Sequence, residues 1–216
     1  MSKMLKTISL TPIVVLLTGV LWLSSCTKND TGTIVAMGAE YYIDDILDVV
    51  SDSAFWADFG DVNRGGVPPK IEGKYLVSPK LRIATNLAGV PINIVEPDAK
   101  VGFTQQHNGI VVMDLEDNST ETMTDTVFVM GSGNDFTAYV IEEKTYEVPV
   151  GNVSYRVRLK RGIVMTGTMV DEGIARFRLA TIIMEAEDDS HGVLVQNPPG
   201  AYHIYKDNDE LAQRIE

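Results

Sequence analysis

The chain has 216 residues, with 18 basic and 30 acidic side chains and a net charge of −12. This acidity excludes the usual kind of nucleic-acid-binding protein, because such proteins carry a basic surface patch. Cys26 is the only cysteine. No intramolecular disulfide is therefore available, and the fold depends on a hydrophobic core.

The first 26 residues have the three parts of a secretory signal peptide. Lys3 and Lys6 provide a positive start, residues 8–23 are mostly apolar, and Leu23-Ser24-Ser25-Cys26 ends the segment with small residues. An apolar run of this length also fits a transmembrane helix. The nearly neutral Thr27-Lys28-Asn29-Asp30 that follows is not a stop-transfer flank, so the sequence favours a signal peptide over residues 1–25.

The tetrapeptide that ends in Cys26 resembles the lipobox of bacterial lipoproteins, and the chain is similar in this to cell-envelope lipoproteins of the Bacteroidetes type. The resemblance implies that Cys26 carries two or three acyl chains, which anchor a protein firmly in a lipid membrane. Residues 26–35 are then the lipidated cysteine and its tether, and residues 36–216 are a single β-rich domain. Residues 27–30 partly resemble the signal for export to the cell surface. They favour the cell surface over the periplasmic face of the outer membrane.

Residues 40–56 contain the one good helix candidate. Apolar residues approximate a 3.6-residue stripe, and aspartates occupy the other side. Asp44, Asp48 and Asp52 are one helical turn apart, which would also suit a cation. No further ligand closes such a site, so we interpret these aspartates as a solvated face and expect no metal and no cofactor.

From Gly73 onward, short apolar runs alternate with turn residues every 8–12 positions. This spacing predicts one mostly β, antiparallel domain, either a sandwich or barrel-like, preceded by one short N-terminal helix. Asn108-Gly109 between two strand-like runs predicts a hairpin. Residues 116–126 are predicted to form a polar loop. Gly131-Ser132-Gly133 is interpreted as another hairpin turn, because no helix follows to bind a phosphate.

The last third of the chain predicts a meander of three strands over residues 153–160, 162–170 and 174–184. Arg-x-Arg pairs alternate with apolar residues in the first and third strands, so the arginines should share the face opposite the core. Arginine recognises carboxylates and phosphates through paired hydrogen bonds. The predicted site for a glycan or another anionic ligand comprises Arg156, Arg158, Thr166, Thr168, Arg176 and Arg178. An ordinary solvated face, with arginines paired to nearby acids, is the alternative.

No catalytic motif is present, and no residue is proposed as catalytic. Asp52-Ser53-Ala54 and Asp125-Thr126-Val127 resemble the motif at which Bacteroidetes-type envelope proteins are O-glycosylated, which marks Ser53 and Thr126. The leading functional interpretation is a non-enzymatic binding module, lipid-anchored through Cys26. A structural or adhesive subunit of fimbrial type is the first alternative, and a small glycan-active hydrolase is the second. The sequence does not identify a protein partner.

Overall fold

In the computed structural model, the described residues are 42–50, 52–117, 121–150, 153–188 and 198–216. They form two short helices followed by eleven strands. The helices are α1 (residues 42–47) and α2 (Ser53–Phe59). The strands are β1 (Gly73–Val77), β2 (Lys80–Thr85), β3 (Ile94–Glu96), β4 (Ala99–His107), β5 (Ile110–Asp117), β6 (Glu121–Ser132), β7 (Asp135–Val150), β8 (Val153–Val170), β9 (Gly173–Asp188), β10 (Tyr202–Asp207) and β11 (Leu211–Arg214).

The strands form one antiparallel sheet in the order β11-β1-β4-β5-β6-β7-β8-β9-β10-β2-β3. Strand β11 also pairs with β9, which closes eight of the strands into a ring. Strands β10, β2 and β3 branch from β9. The prediction of a mostly β, antiparallel domain is confirmed, and the ring corresponds to the barrel-like arrangement.

Two hydrophobic clusters lie on opposite faces of the sheet. Every strand of the ring contributes buried side chains to the first cluster, which therefore fills the inside of the ring; Tyr75, Phe103, Phe136 and Phe177 are its largest fully buried members. The second cluster joins both helices to the outer face of strands β6–β10 and β2. Each Å² of apolar surface that is removed from water in this way stabilises the folded state by about 25 cal/mol. The helices therefore cover part of a surface that would otherwise be exposed apolar sheet.

The single helix predicted over residues 40–56 is wrong, because the chain forms two helices there. Asp52 caps the second helix: its carboxylate accepts a hydrogen bond from the Ala54 backbone amide at 2.8 Å. Capping residues adopt extended backbone angles, and Asp52 has φ −79° and ψ 118°. A helix that continued through residue 52 would lose this cap.

Two further predictions were wrong in a similar way. The predicted strands 153–160 and 162–170 are one continuous strand, β8, which passes through Gly162. The predicted loop 116–126 is mostly strand, since β5 continues to Asp117 and β6 begins at Glu121. Met123 and Val127 are buried there while Thr124 and Thr126 are exposed, which is the alternation of a half-buried strand.

The predicted hairpins are confirmed. Asn108 and Gly109 connect β4 to β5 with positive φ values of 49° and 75°, as a tight turn of this type requires. Residues Gly133 and Asn134 connect β6 to β7, and a strand follows this turn. This second hairpin places Asp135 at the start of β7, on the same edge of the ring as the later part of β8.

Candidate functional site: a polar cleft beside helix α2

The structure separates the six residues that were predicted as one ligand site. Thr166 is opposite Arg178 in the ladder between β8 and β9, so these two residues are neighbours. Arg158 lies eight residues before Thr166 on the same continuous strand, a distance of about 26 Å at 3.3 Å per residue. The predicted four-arginine platform is therefore wrong, because a continuous β8 keeps its two halves far apart.

Arg156 and Arg158 belong to a row of exposed ion pairs at the far end of β7, β8 and β9. Arg156 Nε lies 3.5 Å from Glu147 Oε1, and Arg158 Nε lies 3.1 Å from Glu143 Oε1. The hydrogen bond from Lys160 lowers the pKa of Glu185 in the same row. Exposed pairs of this kind contribute about 0–1 kcal/mol each. This end of the sheet has the character of an ordinary solvated face with paired arginines.

The other four predicted residues lie together in a cleft of about 470 Å³. One wall is the sheet and the other is the end of α2 with the loop that follows it. We call this feature the α2 cleft; its lining residues are Ala57, Asp58, Phe59, Gly60, Asp61, Asn63, Asp135, Thr166, Gly167, Thr168, Arg176 and Arg178. Sequence reasoning therefore identified one wall of the cleft and missed the other.

A β-bulge places Arg176 in the α2 cleft. The ladder between β8 and β9 shifts by one residue between Thr166 and Thr168, so Arg176 and Phe177 together face Gly167. Arg176 adopts a φ of 54°, which is uncommon for a residue with a side chain. A Cβ atom at Gly167 would lie 2.4 Å from Ile174, so only glycine fits opposite the bulge. Bulges of this kind redirect a side chain and are frequent beside binding sites.

Three polar side chains are hydrogen-bonded to one another on the sheet wall. Thr168 Oγ1 donates to the Asp135 carboxylate, and Arg176 Nη2 donates to Thr168 Oγ1. Arg176 Nη2 also lies 3.2 Å from Asp135 Oδ1. Thr166 is nearly buried and donates to the Phe136 carbonyl at 2.9 Å. The Arg176 side chain is nevertheless 71% exposed, so it remains accessible from the cleft.

Glu210, in the turn between β10 and β11, holds the second arginine. Its carboxylate accepts two hydrogen bonds from Arg178, at 2.8 and 3.4 Å, and one from Lys206 at 2.5 Å. Burial acts to raise the pKa of Glu210, but the hydrogen bonds from Arg178 and Lys206 outweigh it and the pKa is lowered. Both arginines of the α2 cleft therefore face a carboxylate of the protein itself.

The opposite wall is fixed to the sheet through Asn63. Its backbone amide donates to Thr137 Oγ1 at 2.8 Å, and its side-chain amide donates to the Phe136 carbonyl at 3.4 Å. Asp58 and Asp61 add two exposed carboxylates to this wall. No local pattern relates these residues to β7, because more than 70 positions separate Asn63 from its partners.

A second polar cluster lies where the branch strands leave the ring. Lys80, only 2% exposed, pairs with Asp117 and lies 4.9 Å from the centre of the Tyr205 ring. Arg82 pairs with Glu96, and its Cζ atom lies 6.0 Å from the centre of the same ring. A cavity of about 30 Å³ beside Asp117 has room for about one water molecule. This cluster offers little space for a ligand, so the α2 cleft is the better candidate site.

The remaining predicted site residues divide between described and undescribed parts of the chain. Ser53, the first residue of α2, and Thr126, in β6, are both exposed, so each is accessible to a modifying enzyme; their glycosylation stays a prediction. Cys26 and the signal peptide lie outside the described residues. Within the described ranges, no helix is both long and apolar enough to cross a membrane. Those ranges also contain no group of three or more metal-ligating side chains.

Comparison of the chain with protein families, with curated proteins and with solved structures found no match.

Proposed function

We propose that this protein is an exported, lipid-anchored binding module of the bacterial cell envelope, and that the α2 cleft binds a glycan. The observation that supports this most directly is the composition of the cleft. Guanidinium groups, hydroxyls, an amide and carboxylates line one space of about 470 Å³, within the usual range for small-ligand sites. The anchor is the acylated Cys26. This part of the proposal rests on the resemblance of Leu23-Ser24-Ser25-Cys26 to a lipobox.

The electrostatics of the cleft favour a hydroxyl-rich ligand over a strongly anionic one. Two arginines and three aspartates line the cleft. Arg176 already pairs with Asp135, and Arg178 already pairs with Glu210. A carboxylate or phosphate would have to displace these acids and would also meet Asp58 and Asp61. Sugar hydroxyls both donate and accept hydrogen bonds, so they can use the carboxylates as well as the arginines.

Replacement of Arg176 by alanine tests the proposal. The change removes a donor from the cleft and releases Asp135, and we expect binding of a neutral oligosaccharide to weaken at least tenfold, about 1.4 kcal/mol. Arg156→Ala is the matched control, because Arg156 is an exposed arginine that pairs with Glu147 outside the cleft. Binding is measured on an array of neutral and acidic glycans, and circular dichroism verifies that both variants fold.

The outcomes separate the candidate functions. Equal weakening by both variants, or no binding to any glycan, contradicts the proposal. A stronger effect on acidic glycans, lost with added salt, would instead favour an anionic ligand. Release of shorter sugars during the assay would favour the hydrolase. Its two carboxylates would then be Asp135 and, across the cleft, Asp58 or Asp61.

The structural subunit is the second candidate, because one observation favours it. Strand β7 pairs with β6 only from Asp135 to Tyr139, and the following residues 140–150 have no strand partner on that side within the described ranges. Subunits that assemble by strand addition need such an open edge. Concentration-dependent chains of copies in analytical ultracentrifugation, in place of glycan binding, would favour this function.

A further inference from the structure

We propose that ionisation of the buried Asp207 controls the position of the two arginines in the α2 cleft, and thereby makes ligand binding dependent on pH. The inference rests on the proposed function for its ligand, but its structural part can be tested without one. It follows from three features: a buried carboxyl, a turn built on that carboxyl, and the contacts of Glu210 in the same turn.

Asp207 is fully buried at the end of β10. Its Oδ2 accepts a hydrogen bond from the Ser78 backbone amide at 2.8 Å, and its Oδ1 accepts one from the Asp209 amide at 3.1 Å. The titratable group that faces it from its own turn is the Asp209 carboxyl. From β2, its ladder neighbour is Lys80, whose ammonium is bound to Asp117. No described cation pairs with the Asp207 carboxyl.

These surroundings place the proton exchange of Asp207 within the physiological range. Burial and the hydrogen bond to Asp209 raise the pKa of Asp207 to about 7, while the same hydrogen bond lowers the pKa of Asp209. The two carboxyls therefore titrate as a coupled pair whose last proton to leave is held by Asp207. When this proton is lost, a negative charge appears on the buried Asp207, beside the exposed carboxylate of Asp209.

The turn from Asp207 to Leu211 connects this carboxyl to the cleft through Glu210. The Glu210 amide donates to the Asp207 carbonyl at 3.2 Å, which closes the turn. The Glu210 carbonyl accepts a hydrogen bond from the backbone amide of Arg176 at 2.8 Å, at the bulge. Its carboxylate holds the guanidinium of Arg178. One residue of the turn therefore supports both arginines.

Repulsion between two ionised carboxylates acts directly on this turn. A proton held between the two carboxyls suppresses this repulsion. Its loss displaces the turn, and Glu210 moves with it, which releases Arg178 and loosens the bulge at Arg176. The arrangement of the cleft described above therefore belongs to the protonated form, so affinity should fall as pH rises through neutrality.

Nuclear magnetic resonance of the ligand-free protein tests the structural part. The ¹³C shift of the Asp207 carboxyl should titrate near pH 7, and the Arg176 amide and Arg178 Nε signals should shift with the same midpoint. Asp207→Asn should remove the step from both arginine signals. The control Asp98→Asn, at an exposed position between β3 and β4, should leave it unchanged. Arginine signals that do not change while Asp207 titrates, or an Asp207 that does not titrate between pH 5 and 9, overturn the inference.

Glycan affinity measured between pH 6 and 8 tests the coupling. We expect affinity to fall about fivefold across this interval, within the usual range for coupled sites. Because coupling is reciprocal, saturating ligand should raise the midpoint of the Asp207 titration by about 0.7 pH unit. Affinity independent of pH overturns the inference and leaves glycan binding intact. A pH-dependent shift of the arginine signals without any glycan binding contradicts the proposed function and supports the structural part of the inference alone.

Discussion

His203 is a histidine in a site that disfavours its charged form. It lies on β10 between β9 and β2, and its Nδ1 atom is buried with no hydrogen-bond partner among the described residues. Burial lowers the pKa of His203, and the positive charge of Arg82 lowers it further. Glu96 acts in the opposite direction but is already paired with Arg82.

The protein should therefore lose stability as pH falls below about 6.5, the ordinary pKa of histidine. Between that value and the lowered pKa of folded His203, the unfolded chain takes up a proton that the folded chain does not. The free energy of unfolding consequently decreases as pH falls through this interval. His203→Gln should reduce the decrease in a series of urea titrations between pH 7.5 and 5.

His107→Gln is the control for this series. His107 is exposed at the β4–β5 turn, where its ring contacts only the neighbouring Asn108 in the described hydrogen-bond network. The wild-type pH dependence should persist in this variant. If His203→Gln has the same pH profile as the wild type, other groups cause the loss of stability at low pH.

At the scale of elements, α1 depends on a close approach to β8. A Cβ atom at Gly162 would lie 2.5 Å from Cγ2 of Ile46, which is fully buried between the helix and the sheet. Glycine in a strand normally costs about 0.5–1 kcal/mol relative to alanine. Here the steric contact outweighs that cost, because a fully buried isoleucine has no open space to move into.

Gly162→Ala should therefore destabilise the protein by about 1–3 kcal/mol, the usual cost of an overpacked core. In the presence of Ile46→Ala, which removes the two nearest contacted atoms, Cγ2 and Cγ1, the same change should cost much less. Chemical denaturation of the four proteins of this cycle measures the coupling, which is about 0.5–3 kcal/mol for residues in contact. If the effects of the two substitutions are additive, Gly162 and Ile46 are not in contact, and α1 does not pack against β8. Gly66→Ala is the control, since its Cβ atom would meet nothing within 4 Å.

The elements show which parts of the fold the sequence could predict. Period-two alternation and turn chemistry are local, so the β class, the Asn108-Gly109 hairpin and the shared face of the Arg-x-Arg pairs could be predicted. The continuity of β8 could not, because Gly162 resembles a turn residue until α1 is known to lie above it. The second wall of the α2 cleft depends on hydrogen bonds from Asn63 to β7, and no local pattern encodes such a contact.

At the scale of the molecule, the fold and the proposed anchor depend on separate parts of the chain. The helices and the eleven-stranded sheet make up the described fold, whereas membrane attachment is predicted to depend on Cys26 alone. Cys26→Ser should therefore abolish incorporation of radiolabelled fatty acid and shift the protein from the membrane fraction to the soluble fraction. The glycan affinity of the purified variant should not change. Equal incorporation of label by the variant and the wild type would exclude lipidation at Cys26.

The closure of the ring by β11 has a consequence for the order of events in the cell. Strand β11 pairs with β1 and β9, so residues 211–214 complete a ring whose first strand begins at residue 73. During synthesis from the N-terminus, the ring cannot close until residue 214 has left the ribosome. Contacts so distant in sequence also form slowly. The unfinished chain therefore keeps its ring open, and an open chain is the form that the proposed export would require.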